Sequence, residues 1–145
     1  MARTDVEIAN LTILVVDDQD FVRTIIVQLL RRIGVRRVLE KGDGSAALEL
    51  LEHRKPDLIL CDIKMTPVDG LQFLRDLRGG LGGQNAHVPV IFLTSASDHD
   101  TVQAAIDNDV DGYLVKPVSA DDLRKKIVSV MTRRNSAKGV SWAAN

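Results

Sequence analysis

The chain has 145 residues, 45% of them apolar and 27% charged; that is one domain of roughly 100–200 residues with ordinary globular composition, which excludes disorder and fibrous repeats. Nineteen basic against 20 acidic residues leave a net charge of −1, so no global field draws the molecule onto DNA or an anionic membrane. Five aromatic residues (3 Phe, 1 Tyr, 1 Trp) are too few for a platform on which nucleic acid bases stack, and one cysteine, Cys61, forms no internal disulfide.

In chain order, residues 1–10 read as an N-terminal extension without the apolar core of a signal peptide. Leu11 to Val16 is a nearly continuous apolar run that stops at Asp17 and Asp18, the pattern of a strand buried on both faces. Asp20 is placed to cap a helix whose apolar face carries Phe21, Ile25, Leu29 and Ile33 and which ends at Gly34. Arg37 to Glu40 is a weak strand, Gly44 to His53 a helix, and Asp57 to Asp62 a strong buried strand introduced by Pro56. Leu71, Phe73, Leu74 and Leu77 predict a helix after Gly70. The stretch Arg78 to Pro89 reads as a flexible surface loop, and Val88 to Thr94 as a fourth strand. Ser97 or Asp98 caps a helix bearing Val102, Ala105 and Ile106, Asp111 to Val115 is a fifth strand, and Ser119 opens a last helix with Leu123, Ile127, Val130 and Met131 on one face. Residues 135–145, with Trp142, read as a disordered tail.

Alternating strands and helices predict an α/β fold: a five-stranded parallel sheet, doubly wound, with helices on both faces, in the common order 2-1-3-4-5. Ligands of such sheets sit at the carboxyl ends of the central strands. There the sequence places Asp17 and Asp18, Asp62, Thr94 and, just after the fifth strand, Lys116. Taken singly, each is an ordinary turn, cap or surface residue; together they form one rim of three carboxylates, a hydroxyl and an ammonium. Two carboxylates about 5 Å apart repel by roughly 3 kcal/mol at an effective dielectric near 20. A cation relieves this, and oxygen-only ligands with three scattered histidines point to Mg²⁺ rather than zinc. A carboxylate beside such a cation, a hydroxyl and a lysine is equipped to attack phosphorus and form an aspartyl phosphate.

The segments ILVVDD (Ile13–Asp18), LILCDIKM (Leu58–Met65), Asp69–Gly70, IFLTSAS (Ile91–Ser97) and GYLVKP (Gly112–Pro117) resemble the receiver domain of bacterial two-component response regulators, nearest in length to the single-domain, CheY-like chemotaxis type. The resemblance assigns residues 11–134 to the receiver and implies a flavodoxin-like three-layer sandwich. It implies that Asp62 is the phosphoacceptor, that Asp18, Asp62, the main-chain carbonyl of Lys64 and, through water, Asp17 hold Mg²⁺, and that Lys116 binds the phosphoryl group. Thr94 and Tyr113 would be a coupled switch pair, and the Lys116–Pro117 bond would be cis. The implied partners are a histidine kinase or histidine phosphotransfer protein and a downstream protein target, with no DNA-binding domain and no membrane segment. A cytoplasmic monomer or phosphorylation-dependent dimer is expected. Such a protein is catalytic only in its own phosphorylation and dephosphorylation and is not a conventional enzyme. Two features depart from the family: Thr66 stands where proline usually follows the methionine, and Ala96, at one of two rate-tuning positions with Lys64, neither donates nor accepts.

Asp98 to Val115 contains five aspartates and no Lys or Arg, whereas Leu123 to Asn145 contains six basic residues and no acid. This contrast predicts either solvated faces or a partner surface spanning the fourth helix, fifth strand and fifth helix. Arg31, Arg32, Arg36, Arg37 and Lys41 form a second basic cluster. Two rival readings follow: an adaptor regulated by a nucleotide through those clusters, and a haloacid-dehalogenase-like phosphatase using Asp18–Gln19–Asp20 as a D-x-D motif. Cys61 should point away from Asp62 into the core.

Overall fold

The computed structural model describes residues 6–95 and 99–143, with side chains described as far as residue 136. The strands are β1 (Thr12–Val16), β2 (Arg37–Lys41), β3 (Leu58–Asp62), β4 (Val90–Thr94) and β5 (Gly112–Val115). Between and after them lie α1 (Asp20–Arg32), α2 (Gly44–Leu51), α3 (Gly70–Asp76), α4 (His99–Asp107) and α5 (Ala120–Ala143). All strand pairs are parallel and the order is β2-β1-β3-β4-β5, as the alternation of apolar runs and helical faces predicts.

Apolar runs and alternating patterns fall where each can be buried. The three inner strands β1, β3 and β4 are covered on both faces and buried almost throughout. The edge strands β2 and β5 have no buried residue and only exposed or intermediate ones, which is why Arg37–Lys41 is the weakest strand in the sequence. Odd residues of β1 (Ile13, Val15) and even ones of β3 (Leu58, Leu60) pack with Ile26, Val27 and Leu30 of α1 and Leu123, Ile127 and Val130 of α5. The opposite parity (Leu14, Val16, Ile59, Cys61) packs with Ala47 and Leu51 of α2, Phe73 and Leu74 of α3 and Ala105 of α4. This is the three-layer sandwich, and fully burying each aliphatic or Phe side chain contributes about 1.5–3 kcal/mol. Val6 and Ile8, within the N-terminal extension, pack against the α1/α5 layer.

Several local readings are corrected. Gln19, in extended conformation, holds the N-cap position of α1, and Asp20 is the first helical residue, paired with Arg23. Asp43 and Asp69 cap α2 and α3 through the N–H groups of Ala46 and Gln72, both at 2.8 Å. Ser119 caps α5 as expected, accepting from Asp122 N–H at 3.0 Å. The caps assigned to Ser97 or Asp98 lie outside the described residues, as do Ala96 and the side chain of Trp142. Helix α5 runs from Ala120 through Ala143, and Met131 is its last buried side chain among those described.

The stretch after α3 is built of helical turns rather than irregular loop. A π-helical turn (Leu77–Leu81), reversed at Gly80 with φ 126°, leads into a 3-10 turn (Gly83–Asn85). The Arg78 guanidinium donates to the carbonyls of Ala86 (3.0 Å) and Val88 (2.6 Å), and buried Asn85 donates to those of Leu51 (2.9 Å) and Arg54 (3.0 Å). Polar residues that look solvated in the sequence are consumed satisfying buried main-chain oxygens.

Candidate functional site

The inner strands end on one rim, and the rim residues meet there. Asp17 follows β1, Asp62 ends β3 and Thr94 ends β4; all three are buried, whereas Asp18 is half-buried. Carboxylate oxygens of Asp17, Asp18 and Asp62 lie within 4.8 Å of one another. Lys116 Nζ lies 3.2 Å from Asp62 Oδ1 and 3.9 Å from Asp17 Oδ2, so one ammonium faces two of the three carboxylates. The Lys116–Pro117 bond is cis, as the resemblance implies, and so is Thr66–Pro67. With Gln19, Ile63 and Ser95, the residues Asp62, Lys64, Thr94 and Lys116 line a cleft of ≈ 160 Å³.

Each carboxylate is held differently. Asp17 Oδ1 accepts the Gln19 N–H at 2.9 Å, while its buried Oδ2 has no hydrogen-bond partner among the described residues. Burial raises the Asp17 pKa above its ordinary value, the Gln19 N–H opposes this, and the Asp62 and Asp18 charges add to the rise against the pull of Lys116. Asp18 Oδ2 accepts the Thr66 N–H at 3.1 Å, which ties the β1 rim to the loop after β3. An unpartnered buried oxygen inside an all-oxygen, net negative cluster open on one side suits a hard divalent cation. Thr94 donates from Oγ1 to the Ser95 carbonyl at 3.3 Å. Tyr113 is 40% exposed, as are Ile106 on α4 and Val115 on β5 at 50% and 44%.

Gly70 and Arg23, to which the sequence reading gives no role at the site, shape it. Gly70 N–H donates to the Ile63 carbonyl at 2.7 Å, and a Cβ on Gly70 would stand 2.6 Å from the Asp62 carbonyl oxygen and 2.8 Å from Ile63 Cα. Helix α3 starts hard against the end of β3 only because residue 70 has no side chain. Arg23 donates to the Asp17 carbonyl at 2.6 Å, and Asp111 anchors the opposite end of the sheet. Asp111 Oδ2 accepts from Val90 N–H (2.8 Å) and Arg78 (3.0 Å), and its Oδ1 from Arg134 Nε (2.9 Å). Part of the charge contrast between α4–β5 and α5 is thus spent in an internal ion network rather than displayed. Arg31, Arg32, Arg36 and Arg37 are exposed where α1 meets edge strand β2. Asp20, 90% exposed and bound to Arg23, stands outside the carboxylate cluster, so Asp18–Gln19–Asp20 does not form a D-x-D pair. Cys61 is buried on the sheet face opposite Asp62's layer, and burial pushes its thiol pKa well up. A larger cleft of ≈ 400 Å³, between Leu11, Asp57, Val88 and Met131, lies one strand length away at the amino ends of the strands.

The family model of the response regulator receiver domain matches residues 13–128. The chain belongs to the response regulator receiver domain family. The chemotaxis protein CheY of Pseudomonas aeruginosa is 35% identical over 123 residues, covering 85% of this chain and 98% of that protein. PdtaR, a transcriptional regulatory protein of Mycobacterium tuberculosis, is also 35% identical, over 83% of this chain but only 57% of its own length, so the receiver spans little more than half of that relative. Among solved structures, CheY4 of Vibrio cholerae superposes with a TM-score of 0.75 at 27% identity, covering 83% of this chain and 98% of that one. The receiver domain of sensor histidine kinase PA1611 of P. aeruginosa, solved with magnesium coordinated in its active site cleft, superposes with a TM-score of 0.71 at 27% identity over 86% of this receiver and 95% of its own chain. Receivers are signalling proteins, and no helix among the described residues is long and apolar enough to cross a membrane.

Proposed function

We propose that this receiver is a phosphoacceptor of a two-component phosphorelay, with Asp62 as the residue that takes the phosphoryl group. The observation that carries the reading is Lys116 Nζ at 3.2 Å from Asp62 Oδ1 inside a cluster of three carboxylates. The carboxylates of Asp17, Asp18 and Asp62 and the main-chain carbonyl of Lys64 would hold Mg²⁺, which, when bound, supplies positive charge against phosphoryl oxygens. An Asp62 oxygen attacks the phosphorus of a phosphohistidine donor; the O–P bond forms as the N–P bond breaks, and the imidazole nitrogen leaves with the electron pair. Lys116 neutralises a phosphoryl oxygen, and Thr94 swings its hydroxyl from the Ser95 carbonyl to another. Tyr113 then turns inward, which changes the α4/β5/α5 face, where Ile106, Tyr113 and Val115 are exposed, and with it the affinity for a downstream protein. Small phosphodonors and water serve the same site in autophosphorylation and autodephosphorylation.

Transfer from a phosphorylated histidine phosphotransfer protein carrying labelled phosphoryl tests the reading. Label must move to this chain with Mg²⁺, stop with EDTA, and fail to move to Asp62→Asn. Transfer that ignores both EDTA and the substitution contradicts it.

A further inference from the structure

We infer that Arg23 is a positioning residue for the acidic cluster, setting how tightly Asp17, Asp18 and Asp62 hold a divalent cation; this rests on the reading of those residues as a Mg²⁺ site. The Arg23 side chain is 17% exposed and its planar fork joins three segments. One terminal nitrogen donates to the Asp17 carbonyl at 2.6 Å, the other to Asp20 Oδ1 at 2.7 Å, and Nε to Glu40 Oε1 on β2 at 3.2 Å.

The carbonyl held by Arg23 belongs to the peptide that links Asp17 to Asp18. That peptide is a rigid plane, so fixing its oxygen fixes the direction in which the Asp18 Cα, and hence its carboxylate, leaves the strand. The Asp17 N–H is anchored in turn by the Lys41 carbonyl at 3.1 Å, next to Glu40. Both acidic residues are therefore suspended from β2: Asp17 directly, and Asp18 through Arg23.

Charge explains why the fork carries two carboxylates as well. A bare guanidinium on the Asp17 carbonyl would repel a cation from the adjacent cluster. Asp20 and Glu40, two carboxylates against one guanidinium, more than offset it, leaving its geometric effect without that opposition. Lysine cannot replace it, because an ammonium is a point donor without a planar fork to span three segments. Groups that orient metal ligands from behind typically change metal affinity about 10–100-fold when removed.

The test is a Mg²⁺ titration of the full chain followed by the NMR amide shifts of Asp17, Asp18 and Asp62. Wild type must give a saturable response; a flat response removes the Mg²⁺ reading itself. Arg23→Lys is expected to bind about 10-fold more weakly with an otherwise intact metal-free spectrum and a deficit that persists at high salt. Asp20→Asn/Glu40→Gln, which retains the carbonyl bond but unmasks the charge, is expected to weaken binding at low salt and recover at high salt. Equal affinity in wild type and Arg23→Lys overturns the inference. Should Arg23→Lys not fold, Arg23→Met at high salt decides: affinity equal to wild type overturns it.

Discussion

Replacing Asp17 with asparagine should stabilise the metal-free protein at neutral pH, which is unusual for a substitution at a fully buried position. Asp17 Oδ2 is buried without a hydrogen-bond partner among the described residues, and such an acceptor costs about 1–3 kcal/mol. Its charge also faces Asp18 and Asp62 within 4.8 Å, each repelling it by about 3.5 kcal/mol at an effective dielectric of 20, while Lys116 at 3.9 Å returns about 4 kcal/mol. At that outer distance the net Coulomb effect is unfavourable by about 3 kcal/mol, and screening at half-buried Asp18 reduces it. A gain of about 1–2 kcal/mol for Asp17→Asn in EDTA follows, equivalent to roughly 3–8 °C in melting temperature. The sign with pH is fixed by the raised Asp17 pKa. A carboxyl whose folded pKa lies above its unfolded value of 3.8 favours folding fully below that value, and this contribution is lost as pH rises through the folded pKa. The advantage of Asp17→Asn should therefore be largest at pH 7 and shrink toward pH 4. Mg²⁺ at ten times its dissociation constant should stabilise wild type by about 1.4 kcal/mol and the variant much less. Urea denaturation at both pH values, with EDTA and with Mg²⁺, measures all of this. A variant less stable than wild type at pH 7 in EDTA, or a difference that ignores pH, refutes the reasoning.

Other outcomes follow from the same contacts. Gly70→Ala must push α3 off the end of β3; a loss of about 1–3 kcal/mol in urea denaturation is expected, with slower labelling of Asp62 by acetyl phosphate. Asp111→Ala strands the half-buried charges of Arg78 and Arg134 and should cost about 2–4 kcal/mol, discounted from the roughly 3–5 typical of a broken buried pair because both partners reach solvent. A double-mutant cycle with Arg78→Met should recover part of that loss. Leu60→Ala, at a side chain with no exposed surface, should cost about 2–5 kcal/mol in the same assay. Cys61, buried with its thiol pKa well raised, should resist iodoacetamide at pH 8 in the native protein and react fully in urea, as read by intact mass.

Legibility in the sequence tracked the range of the interactions involved. The sheet order could be read because β1, β3 and β4 are inner strands whose continuous apolar runs end in Asp17–Asp18, Asp62 and Thr94, and right-handed crossovers leave few topologies. The rim residues were legible for the same reason: strand ends in such a sheet share one edge. What escaped depends on contacts between residues far apart in the chain. Arg78 looks like a loop residue until Asp111, 33 positions later, is seen beside it. Arg23 looks like one more exposed helical arginine until the Asp17 carbonyl and Glu40 are placed around it. The cap of α1 was misassigned because Asp17, two residues upstream, already takes the Gln19 N–H, leaving Asp20 to begin the helix and pair with Arg23. Gly70 reads as a helix start; only the 2.6 Å approach to the Asp62 carbonyl shows why no other residue fits.

The most direct measurement is peptide-mapping mass spectrometry after incubation with acetyl phosphate and Mg²⁺. One phosphoryl group should appear per chain, on the peptide containing Asp62, and should be absent in Asp62→Asn and in EDTA. Equal labelling of Asp62→Asn, or no labelling of folded wild type with Mg²⁺ present, would contradict the assignment of Asp62 as the phosphoacceptor.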